Sequence, residues 1–146
     1  MADIDKDLAR VMGQYAAAVH AKDAAALLRL YDPEVCVFDA WGVWLVQGAE
    51  TWQRTVEAWF TSLGTERVKV SFDDVRATPG REVSSLSAIV TYAGVSAKGE
   101  PLRAMQNRLT WVLRTSGHVP RIVHEHTSAP IGFEDMKAIL QRSPAR

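Results

Sequence analysis

The sequence lacks features that would place it in several common protein classes. It has a single cysteine, Cys36, so an internal disulfide is excluded. That cysteine lies in an apolar run, which predicts a small buried side chain. Lysine plus arginine and aspartate plus glutamate both number 17, so the formal charge is zero. Nucleic-acid binding and a polybasic membrane patch need an excess of cations, and we expect neither partner.

Long apolar runs and phosphate-binding loops are also missing. No stretch approaches the length that crosses a bilayer, and the acidic start of the chain lacks a signal-peptide core, so we expect a cytoplasmic protein. There is no Gly-rich phosphate loop, nucleophile elbow or Cys/His array, and we predict neither a metal nor a cofactor. The 146 residues, 47% of them hydrophobic, suffice for one packed domain over 1–146.

Apolar spacing predicts three helices in the first half of the chain. Apolar residues recur every three or four positions over 4–19, with Asp3 placed to cap the helix. Asp23 caps a second, short helix. A third helix presents one apolar face over 52–63.

The remaining sequence is typical of strands. A short strand is predicted over 35–39, and alternation starting at Val68 predicts another. Two long strands follow over 83–95 and 102–114, and a last strand covers 121–128. Turns containing glycine or proline separate them.

This order of elements predicts an α+β domain, since helices are segregated from an antiparallel meander. Long twisted strands curve, and three helices on the concave side would close a cone around an internal pocket. A short helix over 133–140 is expected to end the chain.

Asp39 is the first candidate for chemistry. It ends an apolar strand and is followed by Trp41, so poor solvation should raise its pKa and suit it to act as a general base. Two structural alternatives stay open. Asp39 would pair with Arg108, or it would cap the turn before Gly42.

A polar row near the end of the chain is the second candidate. His124, His126 and Ser128 share one face of the last strand, and Ile122 extends the row, which predicts that it faces the interior. Arg108 on the adjacent strand would then lie beside the histidines and bind an acidic group, while a histidine acts as acid or base. The alternatives are hydrogen-bonded structural histidines or, with a third ligand, a metal site.

Five tryptophans are many for this length. Trp59 lies on the third-helix stripe, where it packs in the core and borders the ligand. Trp41 and Trp44 lie in the loop expected at the cone mouth, where they would stack on a flat ligand or join a dimer interface. Leu109 and Trp111 lie on the opposite strand face from Arg108 and are predicted to be buried by a second subunit in a homodimer.

Three stretches carry a family resemblance: Gln14-Tyr15-Ala16 with the segments that follow up to Gly48, then Arg108-Leu109-Thr110, and finally the segment 124–130. Together they resemble the nuclear transport factor two-like superfamily. That group includes ketosteroid isomerases, SnoaL-like polyketide cyclases and the association domain of calmodulin-dependent kinases. The resemblance implies the conical α+β fold predicted above.

The resemblance also implies roles for two residues. In ketosteroid isomerases the Asp that matches Asp39 is the base, and the Tyr that matches Tyr15 donates a hydrogen bond to the developing enolate. Tyr15 has the alternative of being an ordinary core tyrosine. The second donor of those enzymes is an uncharged carboxylic acid, but the segment 107–109 has a cation, Arg108, and no acid.

Two functions therefore stay open. The first is a cofactor-independent isomerase or cyclase that acts on a small, flat, partly apolar molecule by proton transfer next to a carbonyl. Asp39 would be its base, with Tyr15 and His126 steadying the oxygen. The second is a non-catalytic ligand-binding or dimerisation module.

Overall fold

The structure is a computed structural model that describes residues 5–117 and 119–142. Within these residues the chain forms three helices, α1 (Lys6–Ala21), α2 (Ala24–Leu28) and α3 (Ala49–Ser62). It also forms six strands: β1 (Tyr31–Phe38), β2 (Val46–Gln47), β3 (Arg67–Thr78), β4 (Val83–Val95), β5 (Pro101–Arg114) and β6 (Arg121–Ser128). The predicted α+β class, with its helices in the first half of the chain, is confirmed. None of the helices in the described ranges is long and apolar enough to cross a membrane.

Aspartates start the first two helices. The carboxylate of Asp5 accepts a hydrogen bond from the backbone N–H of Asp7 at 2.8 Å, which satisfies a donor that has no partner inside the helix. Asp23 caps α2 in the same way. Asp3, the cap predicted from the sequence, lies outside the described residues.

All six strands form one curved sheet in the order β2-β1-β6-β5-β4-β3. Strands β3 to β6 pair antiparallel with one another in sequence order, as predicted. Strand β1 differs, because it runs parallel to β6 and makes the sheet mixed. The long connection through α3 and β3–β5 allows this direction, whereas a tight turn would not. The parallel pairing places the ends of β1 and β6 side by side.

The sheet has an inner face, which meets the helices, and an outer face. Helix α1 packs on β3, and α3 packs on β1. The inner face carries the core, with fully buried side chains from β1, β4, β5 and β6: Val35, Val37, Leu86, Val90, Leu109, Trp111, Leu113 and Ile122. The placement of Leu109 and Trp111 in a dimer interface was therefore wrong, because both belong to this core.

A β-bulge in β6 decides which of its side chains face inward. Val112 pairs with His124 and Leu113 pairs with Ile122, so Val123 is an extra residue between them. One extra residue reverses the alternation of faces. Ile122 is buried on the inner face, whereas His124 points outward. The prediction that both lie on the same face is wrong for this reason.

The terminal segment after β6 is not the predicted helix over 133–140. It forms turns and an isolated bridge between Ile131 and Ala138, with Met136 in the left-handed region at φ 60°. The backbone N–H of Gln106 donates to the carbonyl of Leu140 at 2.6 Å. Turn hydrogen bonds within the segment, together with this bond to β5, thus replace those of a regular helix.

Candidate functional site

A cavity of about 890 Å³ lies between α3, the inner face of the sheet and the terminal segment. This volume is typical of small-molecule sites. Its walls are mostly apolar and aromatic, and five aromatic side chains line it: Tyr15, Trp41, Trp52, Trp59 and Tyr92. Four polar side chains reach it from three adjacent strands, β1, β6 and β5, or from the residue directly after β1: Asp39, Asn107, Glu125 and Thr127. Such a site suits a flat molecule that carries few polar groups.

Asp39 lies half-buried in the cavity wall, directly after β1. The Thr127 hydroxyl donates to Asp39 Oδ1 at 3.4 Å and accepts from the backbone N–H of Ala40 at 2.9 Å. Burial raises the pKa of Asp39, while hydrogen bonds from the Trp41 backbone, Thr127 and the Ala40 backbone oppose the rise. The carboxyl group therefore combines partial access to the cavity with increased basicity.

The hydroxyls of Tyr15 and Tyr92 form a pair 2.9 Å apart. Tyr15 comes from α1 and Tyr92 from β4, so the pair joins a helix to the sheet. The ring of Tyr15 meets that of Trp111 edge to face, with centroids 5.4 Å apart. Burial raises the pKa of both tyrosines, so both stay neutral and keep a proton to donate.

Glu125 is the most buried acid that lines the cavity, with 3% of its surface exposed. Its Oε1 accepts hydrogen bonds from the Tyr31 hydroxyl at 2.5 Å and from Trp111 Nε1 at 2.8 Å. Burial raises the pKa of Glu125 to about 7, although these two hydrogen bonds oppose the rise, and the charge of Asp39 adds to it. A carboxyl group in this position is partly protonated at neutral pH.

Two further groups define the polarity of the cavity. Asn107 is buried, and its Oδ1 has no hydrogen-bond partner within the described part of the chain. Arg103 lines the mouth, where its guanidinium donates to Glu66 at 2.5 Å. Because Glu66 balances this cation, the cavity offers acidic and neutral groups to a ligand.

The predicted row of Arg108, His124, His126 and Ser128 lies on the outer face, away from the cavity. Arg108 Nε donates to Ser128 Oγ at 3.0 Å. The ring of Phe38 meets His124 and His126 edge to face at 4.7 and 5.4 Å. The prediction that this row faces the interior is wrong, because the bulge at the start of β6 turns the row outward.

The same placement bears on two alternatives left open above. Among the described residues, Arg108 forms no ion pair with Asp39, since the two lie on opposite faces of the sheet. No three His, Cys, Asp or Glu side chains within 5–117 and 119–142 are grouped as a metal site would require. The backbone hydrogen bonds of Asp39 agree instead with the turn-capping alternative.

The tryptophans separate into three environments. Trp59 of α3 is half-buried and lines the cavity, and Trp41 is exposed at its mouth. Trp44 is 95% exposed and is not among the residues that line the cavity, although the sequence predicted it near the mouth. Trp111 is fully buried and serves the site indirectly through its bond to Glu125.

Sequence reasoning missed Tyr92, Asn107, Glu125 and Thr127. A usable signal was present, because Leu109, Trp111 and Leu113 form a continuous apolar row typical of a core face. Asn107 belongs to that row, and the pairing of β5 with β6 sets Glu125 opposite Trp111.

A comparison with family models matches residues 8–132 to the SnoaL-like domain. The chain belongs to the SnoaL-like domain family. This confirms the family resemblance described from the sequence. A comparison of the SnoaL-like domain with curated proteins found no match.

Solved structures agree with this SnoaL-like fold. A nuclear transport factor two-like protein of unknown function from Pseudomonas putida is 18% identical, with 94% of each chain covered and a TM-score of 0.80. A putative calcium/calmodulin-dependent protein kinase II association domain from Xanthomonas campestris is 16% identical, with 88% of this chain and 89% of that chain covered and a TM-score of 0.73. The beta subunit of benzoate 1,2-dioxygenase from Burkholderia mallei is 14% identical, with 88% and 92% covered and a TM-score of 0.70. At these identities the likeness establishes the fold.

Proposed function

We propose that this SnoaL-like domain binds a small, flat, partly apolar molecule and moves a proton next to its carbonyl group, as an isomerase or cyclase does. The observation that carries the proposal is the half-buried Asp39 carboxyl in the wall of an aromatic cavity of about 890 Å³. Asp39 is the base, and its raised pKa brings it closer to the pKa that suits a base near neutral pH.

The paired hydroxyls of Tyr15 and Tyr92 support the same chemistry. Removing a proton next to a carbonyl builds negative charge on its oxygen, and a fixed O–H donor in a dry cavity stabilises that charge. Each tyrosine holds the other in place through the 2.9 Å bond, and one hydroxyl proton of the pair is left for the ligand. His126 has no part in this mechanism because it lies on the outer face.

The test is proton exchange at the carbon next to a carbonyl. β-Tetralone, a flat apolar ketone, is incubated with the protein in D₂O, and deuterium uptake is followed by NMR. We expect Asp39→Asn to lower the enzyme-dependent rate by about a hundredfold or more, as loss of a general base does. Asp73→Asn is the matched control, because Asp73 is exposed on β3 and is not among the residues that line the cavity.

Folding of both variants is verified by circular dichroism and thermal unfolding. If wild-type protein accelerates exchange and Asp39→Asn does so equally, Asp39 is not the base. If wild-type protein accelerates no exchange while the ketone binds, the proton-transfer proposal fails and ligand binding without chemistry remains.

A second candidate function, self-association, rests on the outer face of the sheet. There Phe38 packs against His124 and His126, and Arg108 lies exposed beside Ser128. The three described helices all pack elsewhere, so this aromatic and cationic surface is open to a second copy of the chain. The solved relatives include an association domain and an enzyme subunit, which makes a homodimer a reasonable proposal.

Sedimentation velocity tests this second candidate. Phe38→Glu places a charge beside His124 and His126 on the outer face, and we expect it to convert a dimer to a monomer at micromolar concentration. Val43→Glu, on an exposed loop residue, is the control. A monomeric wild-type protein, or a dimer that tolerates Phe38→Glu, contradicts the proposed interface.

A further inference from the structure

Glu125 is a buried acid that the proton-transfer scheme above does not use. It projects from the inner face of β6 and lines the cavity, and only 3% of its surface is exposed. Both of its hydrogen bonds, from Tyr31 and Trp111, end on Oε1. Since Tyr31 and Trp111 are themselves fully buried, these bonds belong to the core and are present with or without a ligand.

The second oxygen of Glu125 is left for the cavity. Within residues 5–117 and 119–142 no side chain or backbone group makes a hydrogen bond to Oε2. Oε2 is also absent from the fully enclosed polar atoms that lack a partner, which are Trp52 Nε1 and Asn107 Oδ1. Oε2 is therefore reachable from the cavity, and the fixed Oε1 determines its direction.

Burial and the charge of Asp39 favour the neutral form of Glu125, against the hydrogen bonds from Tyr31 and Trp111, and the titratable groups that face Glu125 offer it no counter-ion. They are Tyr15 from α1, Tyr31 from β1, Tyr92 from β4 and, at the strand end, Asp39. None of them is a cation. Arg103 at the mouth is already paired with Glu66. A second negative charge near Asp39 in an apolar cavity is unfavourable, so Glu125 keeps its proton up to its raised pKa of about 7.

We infer that Glu125 binds the ligand directly, with its Oε2 hydroxyl donating to a carbonyl oxygen of an uncharged molecule. Oε1 already accepts two hydrogen bonds, so the acid proton resides on Oε2. This inference deepens the proposed function and rests on it for the ligand class. It identifies the ligand as a neutral ketone, quinone or lactone. A carboxylate is excluded, because it would meet two acids and no unpaired cation within the described lining.

Three matched probes that share a naphthalene ring test the inference. Acetylnaphthalene is a neutral ketone, naphthoate is an anion and aminomethylnaphthalene is a cation. Calorimetry measures their binding to wild-type protein, Glu125→Gln and Asp39→Asn over a pH range centred on the pKa of Glu125, about 7. Glutamine keeps an acceptor for Tyr31 and Trp111 and places an N–H₂ donor at the position of Oε2.

We expect the ketone to bind at least about tenfold more tightly than naphthoate, which is the order of one well-placed hydrogen bond. Above the pKa of Glu125 the affinity for the ketone falls by about tenfold for each pH unit, because ionised Glu125 has no proton to donate. Glu125→Gln abolishes this pH dependence. Asp39→Asn retains it, although that variant loses proton exchange.

Several outcomes overturn the inference. If aminomethylnaphthalene binds best and its affinity increases with pH, Glu125 is an ionised counter-ion. If Glu125→Gln keeps the wild-type pH profile, or if Asp39→Asn loses it, another group titrates. If none of the probes binds, the ligand class is wrong. If the protein binds the ketone with the expected pH dependence but accelerates no proton exchange, only the role of Asp39 as base is lost, and the role of Glu125 in binding stands.

One measurement does not depend on the variants folding. Infrared difference spectra of wild-type protein with and without acetylnaphthalene report the carbonyl stretch of a protonated carboxyl group. We expect this band to shift to lower frequency on binding. An unshifted band, or none below the pKa of Glu125, contradicts the hydrogen bond.

Discussion

The two faces of one pair of strands, β5 and β6, differ in the side chains that they carry and in what those side chains contact. The inner face carries Leu109, Trp111 and Glu125, all almost fully buried, and the outer face carries Arg108 and His126, both exposed. Cations and imidazoles are conspicuous in a sequence, but here they contact solvent. The cavity instead uses a carboxyl group whose properties come from burial. In this fold the environment of a side chain is therefore more informative than its type.

The inner face carries the largest effect we expect, at Trp111. Trp111→Ala removes a fully buried indole and the hydrogen bond that its Nε1 donates to Glu125. Truncating a buried tryptophan in this way should lower the free energy of unfolding by about 3–5 kcal/mol, or prevent folding altogether.

Urea denaturation measures this prediction. Val112→Ala, at the neighbouring and only partly buried position on the outer face, is the matched control, with an expected loss of about 1 kcal/mol in the free energy of unfolding. A Trp111→Ala variant as stable as this control would mean that the inner face does not hold the core of the fold.

Local patterns in the sequence predicted much of the fold. The strands over 83–95 and 121–128 match the structure to the residue, because β-branched runs end at turn-forming residues. The parallel pairing of β1 with β6 was missed, since it depends on contacts between distant parts of the chain. The helix over 133–140 was wrong because the segment folds into turns with their own backbone hydrogen bonds, and the carbonyl of Leu140 bonds to β5.

The site was only partly predictable for a related reason. Asp39 and Tyr15 were identified because each lies in a locally recognisable element, and both line the cavity. Glu125 was missed because the bulge at Val123 decides which face of the sheet it lies on. Nothing in the sequence distinguishes Val123 from an ordinary strand residue. The pKa of Glu125 depends on how fully its neighbours exclude water, which no spacing rule contains.

Changing pH should affect the inner face more than the outer one. The pKa of Glu125 is about 7 in the folded protein and lies near the ordinary glutamate value when the chain is unfolded. Between these values the folded state retains a proton that the unfolded state has lost. Stability therefore falls as pH rises from about 4.5 to about 7 and levels off above it, by about 3 kcal/mol in total from this group.

Chemical unfolding of wild-type protein and Glu125→Gln across this range measures the effect. The variant carries no titrating group at this position. As pH rises, the free energy of unfolding of wild type should therefore fall relative to that of the variant. Ser128→Ala is the outer-face control, and it should follow the wild-type profile because it changes no titrating group. Parallel profiles for wild type and Glu125→Gln would mean that water reaches Glu125 and that it titrates normally.

The smallest expected effect belongs to Arg108→Ala on the outer face. Arg108 is exposed, and the one side-chain hydrogen bond described for it goes to Ser128. An exposed polar pair of this kind adds little to the free energy of unfolding. We expect the free energy of unfolding to change by less than about 0.5 kcal/mol and the affinity for acetylnaphthalene to stay the same. Leu109→Ala, at the next residue of β5 and on the inner face, should lower the free energy of unfolding by about 2–5 kcal/mol. If Arg108→Ala weakens ligand binding without changing stability, then Arg108 reaches the cavity and the separation of the two faces is incomplete.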